Sequence, residues 1–291
     1  MKERNERFEL KGYSTYLWLK IILENFRNAI FGWTFFAINF LMSTVGMLFN
    51  SLIFFVMAEY VGPSASPMLA QYGGDYASYI ILGIVFNTFL SVSLDSYYQA
   101  YSNGYWGSGF EIYATSPIGI SAFILGSVLF SYFVSSIQIA MYMAIGIFAF
   151  HIDLASANYL TAIIVLLLST VAVSSIGLIA ASTFTLLNCK GWGNPVTWIV
   201  SLLVGLISGV YFPPEMLPAF VQNLSACLPQ TYAYEAARLA MLAGADLTHT
   251  VVYRDLSIII LQMLALLPIG IILYKMSLRK AEKEGALTRW S

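Results

Sequence analysis

Bond-making chemistry has little to work with in this sequence. The two histidines, His151 and His249, stand far apart, no His/Cys/Asp/Glu cluster has metal-ligand spacing, and there is neither a nucleophile elbow nor a G-x-x-x-x-G-K-[ST] phosphate loop. The residues whose spacing stands out are polar and uncharged. Asn39, Ser43, Gly46 and Asn50 recur at helical intervals in one apolar run, Gly83, Asn87 and Ser91 in a second, and Thr197, Ser201, Gly205 and Ser208 in a third. Such stripes can line a weakly polar cavity that tolerates an amphipathic molecule. They can equally let helices pack closely through small residues, with interhelical hydrogen bonds of about 1 kcal/mol each. Packing accounts least well for Asn39 and Asn87, which cost more to bury than Ser or Gly. The same runs contain no Asp, Glu, Lys, Arg or His, whereas ion-coupled carriers and proton pumps usually place an ionisable group at mid-depth. The chemistry this inventory supports is non-covalent recognition and passage.

The elements that must position these stripes are membrane spans. At 59% hydrophobic and 10% charged residues, with a mean hydropathy of +0.75, the chain reads as an integral membrane protein, far from the soluble norm of about 25% charged. Lys+Arg 14 against Asp+Glu 15 leaves no basic excess for nucleic acid, so membrane lipids are the expected surroundings. The first 27 residues hold ten charges and no short apolar core, so the first span is expected to direct insertion in place of a cleaved signal peptide. Residues 1–28 read as a cytosolic segment and an interfacial helix over 13–28, whose Lys20, Glu24 and Arg27 form a charged stripe opposite Leu17, Ile21 and Phe26. The uncharged runs 29–58, 76–94, 117–150, 154–189, 191–214 and 256–274 read as six spans, the last kinked at Pro268, and 275–291 as a short charged tail. The fold class is therefore all-α, with a six-span transmembrane domain over 29–274. Twelve of the 14 basic residues fall on the side of the termini, leaving Arg238 and Arg254 opposite, so both termini are expected in the cytosol. That topology sets Cys189 and Cys227 on opposite sides of the membrane, where they cannot pair.

Between the fifth and sixth spans lies an external region, 211–254, in which Pro213, Pro214, Pro218 and Pro229 break the chain into short pieces. The pieces 219–227 and 232–243 are too short to cross and too apolar to be free loops, so they read as re-entrant helices. Glu235 and Arg238, at i and i+3, have the spacing of a salt bridge. On the cytosolic side the loop 95–116 carries many aromatics and no Lys or Arg, and it ends in a segment able to form a short helix before Pro117.

The pattern FPPEMLP followed by LPQTYAYEAAR resembles the type 2 permeases of ABC exporters, through Gly209, Phe212, Pro213, Leu217, Pro218, Leu228, Pro229, Thr231, Glu235 and Arg238. The resemblance implies an external gate that includes Phe212, Pro213, Glu235 and Arg238. It also implies that a short helix with Glu111, Ile112, Thr115 and Pro117 seats in a cytosolic ABC ATPase subunit, with Thr-Ser where many members have a single residue. The alternative for the aromatics of this loop is an ordinary belt at headgroup level.

The expected function is the permease subunit of an ATP-driven exporter of an amphipathic or lipid-like compound, with a substrate pathway along Asn39, Ser43, Asn87, Ser91, Thr197 and Ser201. A second permease copy, identical or not, would complete it in the cell membrane. The chain itself would hold no cofactor and be no enzyme, with ATP and Mg on the partner subunit. A channel or secondary carrier for a small neutral solute, working without ATP, is the alternative, and a membrane-embedded lipid enzyme lacks a catalytic constellation.

Overall fold

Uncharged runs shielded from water must satisfy their own backbone hydrogen bonds, and here they do so as helices. The computed structural model of the 291-residue chain describes residues 76–106, 110, 120–150, 152, 154–189 and 193–283, with positions 20, 23, 27, 38, 40–46, 49, 52, 53, 56 and 72 before them. The elements are α1 (Tyr76–Trp106), α2 (Ile120–Phe150), α3 (Tyr159–Leu186), α4 (Pro195–Ile207), a 3₁₀ turn (Pro214–Met216), α5 (Ala219–Ser225), α6 (Pro229–Leu242) and α7 (Thr250–Lys283). No strand occurs among the described residues. Helices α1, α2, α3 and α7 are long and apolar enough to cross a membrane. Helix α4, with 13 residues, covers roughly 20 Å of a hydrocarbon core of about 30 Å.

The bundle is built around α1, whose residues from Tyr79 to Phe86 are buried without a break, so other elements enclose it on every side. It packs against α2, α3 and α6, while α3 lies between α1 and α7. Gly177 of α3 rides directly over the Ser93 and Leu94 carbonyls of α1, and any Cβ there would collide with Ser93 O. Small residues at helix crossings bring backbones this close where lipid offers no hydrophobic drive. Large aliphatic side chains point away from the bundle, as with Leu261, Leu264, Ile269 and Ile272 of α7 and Leu125, Leu129, Phe133 and Ile137 of α2.

The helices alternate in direction, which collects the start of α1, the α2–α3 turn and everything from Ser208 to His249 at one end, called here the Pro213 end. Hydrogen bonds that hold that end together include Asn158 N to Ala240 O at 2.8 Å, Ser156 Oγ to Leu242 O at 3.3 Å and Tyr79 OH to Gly209 O at 3.1 Å. The opposite end carries an aromatic cluster in which Phe110, fully buried, stands edge-on to Tyr101 at 5.0 Å, with Phe184 between Tyr101 and Tyr105.

Three helix boundaries differ from the sequence reading. Residues 95–106, expected to open a loop, continue α1, because Tyr98, Tyr101 and Tyr105 recur at helical spacing and bury against Phe110 and Phe184. A single charge, Asp95, does not end a helix. Among the described residues of the expected fifth span, 191–214, the α-helix covers Pro195–Ile207. Asn194 starts it by accepting from Val196 N and Thr197 N, Pro195 takes the first turn, and Gly209 at φ +88° follows its end. The last helix runs from Thr250 through Pro268 to Lys283, beyond the expected 256–274 and into the expected tail. The two short pieces expected within 219–243 are present as α5 and α6, and α6 begins at Pro229 because proline suits a first helical turn. The interfacial helix at 13–28 and the first span at 29–58 are described only at scattered positions. Asn39, the docking residues Glu111, Ile112, Thr115 and Pro117, and the tail beyond Lys283 lie outside the described residues.

Candidate functional site

The chain that leaves α4 carries carbonyls outside any helical ladder, and where they are buried they need donors from elsewhere. Arg238 supplies donors to them. Its side chain is 1% exposed and donates from Nη1 to Gly209 O at 2.7 Å and from Nη2 to Val210 O at 2.6 Å, just past the end of α4, and from Nε to Tyr79 O on α1 at 3.0 Å. The guanidinium also lies 3.5 Å from the centre of the Tyr79 ring, a cation–π contact in a desolvated place. The planar fork of arginine suits three acceptors at once; a lysine ammonium would not. Gly83 makes the room, since a Cβ at that position would run into the guanidinium and Val210 O.

This geometry corrects the expected Glu235–Arg238 bridge. Glu235 pairs with Arg254, Oε2 to Nη2 at 3.1 Å, and Arg254 also holds Asp255 Oδ1 at 2.8 Å. The two members of the sequence pair point different ways from α6: Arg238 turns inward to α1 and the end of α4, Glu235 toward the start of α7. Burial pushes the Glu235 carboxyl up from its ordinary range, against the opposing pull of Arg254. Of the other residues expected at the gate, Phe212 leans on Tyr76 with ring centres 6.3 Å apart, and Pro213 is buried just before the 3₁₀ turn.

Two cavities follow the seam between α1 and α4. The larger, 540 Å³, has Ser91, Asp95, Ser96 and Gln99 of α1 facing Asn194, Thr197, Trp198 and Ser201 on and before α4. The smaller, 160 Å³, is lined by Asn87, Ser91, Ser201, Tyr211, Gln230 and Tyr234, among others. Ser91 and Ser201 belong to both, so the two are stacked. Asn87 Oδ1 accepts from Tyr234 OH at 2.9 Å and from Ser91 Oγ at 3.4 Å. From Asn87 to Gln99 the stack follows roughly 18 Å of α1, more than half the thickness of a hydrocarbon core.

Four of the six residues expected to line a pathway, Asn87, Ser91, Thr197 and Ser201, are thus brought together. Ser43 is not: it accepts from Gln138 Nε2 of α2 at 3.0 Å, away from the seam. The sequence reading missed Asp95 and Gln99, although the four-residue interval of Asn87 and Ser91 continues through both. In the sequence Asp95 reads as the start of a loop, which ends the stripe at Ser91. It also missed Gln230 and Tyr234, which reach the smaller cavity from α6. Among the described residues no three His, Cys, Asp or Glu side chains gather to hold a metal ion.

Residues 4–242 match the model of a protein family described as ABC-2 type transporter, a match that takes in α1 to α6 and both cavities. No curated protein matches the chain.

Proposed function

Because the chain belongs to the ABC-2 type transporter family and is a transmembrane permease subunit, we propose that it exports an amphipathic or lipid-like compound by alternating access, driven by ATP. Membership in the family implies ABC ATPase partners. In this reading ATP and Mg are held by those cytosolic subunits, and two permease copies enclose the pathway in the cell membrane. The first span lies within 29–58, α4 is the fifth of six, and α5 and α6 are re-entrant helices on the external side. Both termini face the cytosol, a placement that the distribution of basic residues supports.

The observation that carries the proposal is the stacked pair of cavities along the α1–α4 seam. Their lining is uncharged except for Asp95, with Asn, Gln, Ser and Thr side chains set among Leu90, Val92, Leu94 and Val204 and with Tyr98, Trp198, Tyr211 and Tyr234 as aromatic surface. This composition suits an amphipathic molecule better than a free ion. The cytosolic input is the segment containing Glu111, Ile112, Thr115 and Pro117. It follows Phe110, whose burial among Tyr101, Tyr105 and Phe184 joins it to the inner end of α1. Closure of an ATPase dimer against that segment would tilt α1 and change the seam.

The test is reconstitution in vesicles of the permease with the ABC ATPase that co-purifies with it, followed by movement of a fluorescent single-chain lipid between leaflets. The expected result is movement that requires ATP, Mg and both chains. Equal movement by the permease alone would favour the channel or carrier reading.

A further inference from the structure

The smaller cavity contains a polar group that the fold does not use. Gln230 is 2% exposed, lines this cavity, and its Oε1 has no hydrogen-bond partner among the described residues. An unmatched amide oxygen in such a place is costly, and a Leu at the second position of α6 would fill the same space without that cost. Beside it, both hydrogen bonds of Asn87 use Oδ1, which leaves its Nδ2 as the donor end of that carboxamide. The cavity therefore offers one amide acceptor and one amide donor close together. None of its lining residues is charged. Its 160 Å³ would take about five groups the size of a water molecule, each occupying roughly 30 Å³ in the liquid.

We infer that this cavity is a headgroup subsite, built for a small uncharged group that both donates and accepts hydrogen bonds, either a hydroxyl or an unsubstituted amide. The apolar chain of the same molecule lies beside Val92 and Trp198 in the larger cavity, reached past Ser91 and Ser201. The inference rests on the pathway reading above and adds the chemistry of the cargo's head. A carboxylate or phosphate head would enter a lining with no counter-charge, whereas a hydroxyl or amide exchanges its bonds to water for bonds to Gln230 and Asn87. An acceptor-only head, such as a dimethylamide, leaves Gln230 Oε1 unmatched.

Three probes with the same brominated chain separate these cases: 11,12-dibromododecanamide, its N,N-dimethyl derivative, and 11,12-dibromododecanoate. Each is titrated into the full-length permease in nanodiscs, and quenching of Trp198 is isolated from that of the other tryptophans by comparison with Trp198→Phe. The primary amide is expected to bind about tenfold more tightly than the dimethylamide, a factor that corresponds to about 1.4 kcal/mol, and the carboxylate no better than the dimethylamide. Gln230→Leu should bring the amide down to the dimethylamide's affinity while leaving dimethylamide quenching unchanged, which also reports an intact cavity. Equal affinities of amide and dimethylamide for the wild-type protein, or tightest binding by the carboxylate, would overturn the headgroup inference and leave the pathway standing. If no probe distinguished wild type from Trp198→Phe, the pathway reading and this inference would both fail.

Discussion

Removal of the Arg238 side chain is the perturbation whose outcome the structure defines most closely. In Arg238→Met, Val210 O loses its donor at 2.6 Å in a place sealed from water, while Gly209 O loses the donor at 2.7 Å but keeps Tyr79 OH at 3.1 Å. Tyr79 O is less affected, because within α1 it can still accept from the backbone N–H four residues on. One buried acceptor left unmatched, Val210 O, costs about 1–3 kcal/mol, and the bond lost at Gly209 O adds about 1 kcal/mol. Methionine removes the burden of burying a charge, which offsets part of that loss, so the net destabilisation should be about 1–3 kcal/mol. Arg238→Lys should be no milder, since an ammonium at one point cannot serve carbonyls arranged around a planar fork. Glu235→Gln, by contrast, weakens a pair whose arginine side chain is 53% exposed, and should cost under about 1 kcal/mol. Thermal inactivation in detergent ranks the variants, and hydrogen exchange over 208–212 shows whether the loss is local to the end of α4. A double-mutant cycle between positions 235 and 238 should return less than about 0.5 kcal/mol of coupling, and the cycle between 235 and 254 more. Unchanged exchange at 208–212 in Arg238→Met, or a 235–238 coupling as large as the 235–254 coupling, would refute the reasoning and restore the bridge read from the sequence.

Three further outcomes are expected. Ser201→Phe, at a position shared by both cavities, should reduce ATP-dependent export at least tenfold without altering expression, and export at the wild-type rate would remove the seam as the route. In a protein whose own two cysteines are replaced by serine, a cysteine at Ala243, exposed at the end of α6, should react with an impermeant thiol reagent from outside intact cells and one at Thr288 should not; the reverse pattern would invert the topology. Glu111→Lys should leave insertion unchanged but weaken ATPase docking roughly tenfold or more, the loss of a charge-assisted contact of about 1.5–3 kcal/mol, and undiminished cargo-stimulated hydrolysis would refute the docking role.

The helices were legible where apolarity and helical spacing agree, as in α2, α3 and α7, and the prolines at 213, 214, 218 and 229 marked the broken region between α4 and α7 correctly. Boundaries failed where a rule for bilayer thickness was applied to helices that outrun the bilayer. Helix α1 continues past Asp95 for another three turns because its tyrosines find aromatic partners, a tertiary fact absent from any window of sequence. Helix α4 stops early because Asn194 and Gly209 set its ends, although apolar residues extend beyond them. At the candidate site, spacing set Asn87 and Ser91 on one helix face and Thr197 and Ser201 on another, and the packing of α1 against α4 makes the two faces meet. It could not say which charges pair: Glu235 and Arg238 are neighbours on a helix diagram, but the partner of Glu235 lies 19 residues on, at Arg254, and the partners of Arg238 are backbone carbonyls that no side-chain pattern records.

Helix α6 shows why a segment too short to cross a membrane can be among the most buried of this fold. Gln230, Tyr234 and Arg238 recur every four residues, so they share one face, and each meets a different need there. Gln230 offers an amide to the smaller cavity, Tyr234 donates to Asn87 across the seam, and Arg238 matches the carbonyls where α4 ends. Alanines at 233, 236, 237 and 240, all buried, let the helix sit close enough for these long side chains to reach α1 and the end of α4. One face of one short helix therefore joins the structural pin to the lining of the cavity. Any rearrangement that separates α1 from α4 at the Pro213 end breaks one Arg238 bond if α6 stays with the end of α4, two if it stays with α1, and all three if it moves alone. Those bonds are charge-assisted and shielded from water, so they favour the first course, and α6 moves as part of the wall instead of as an independent lid.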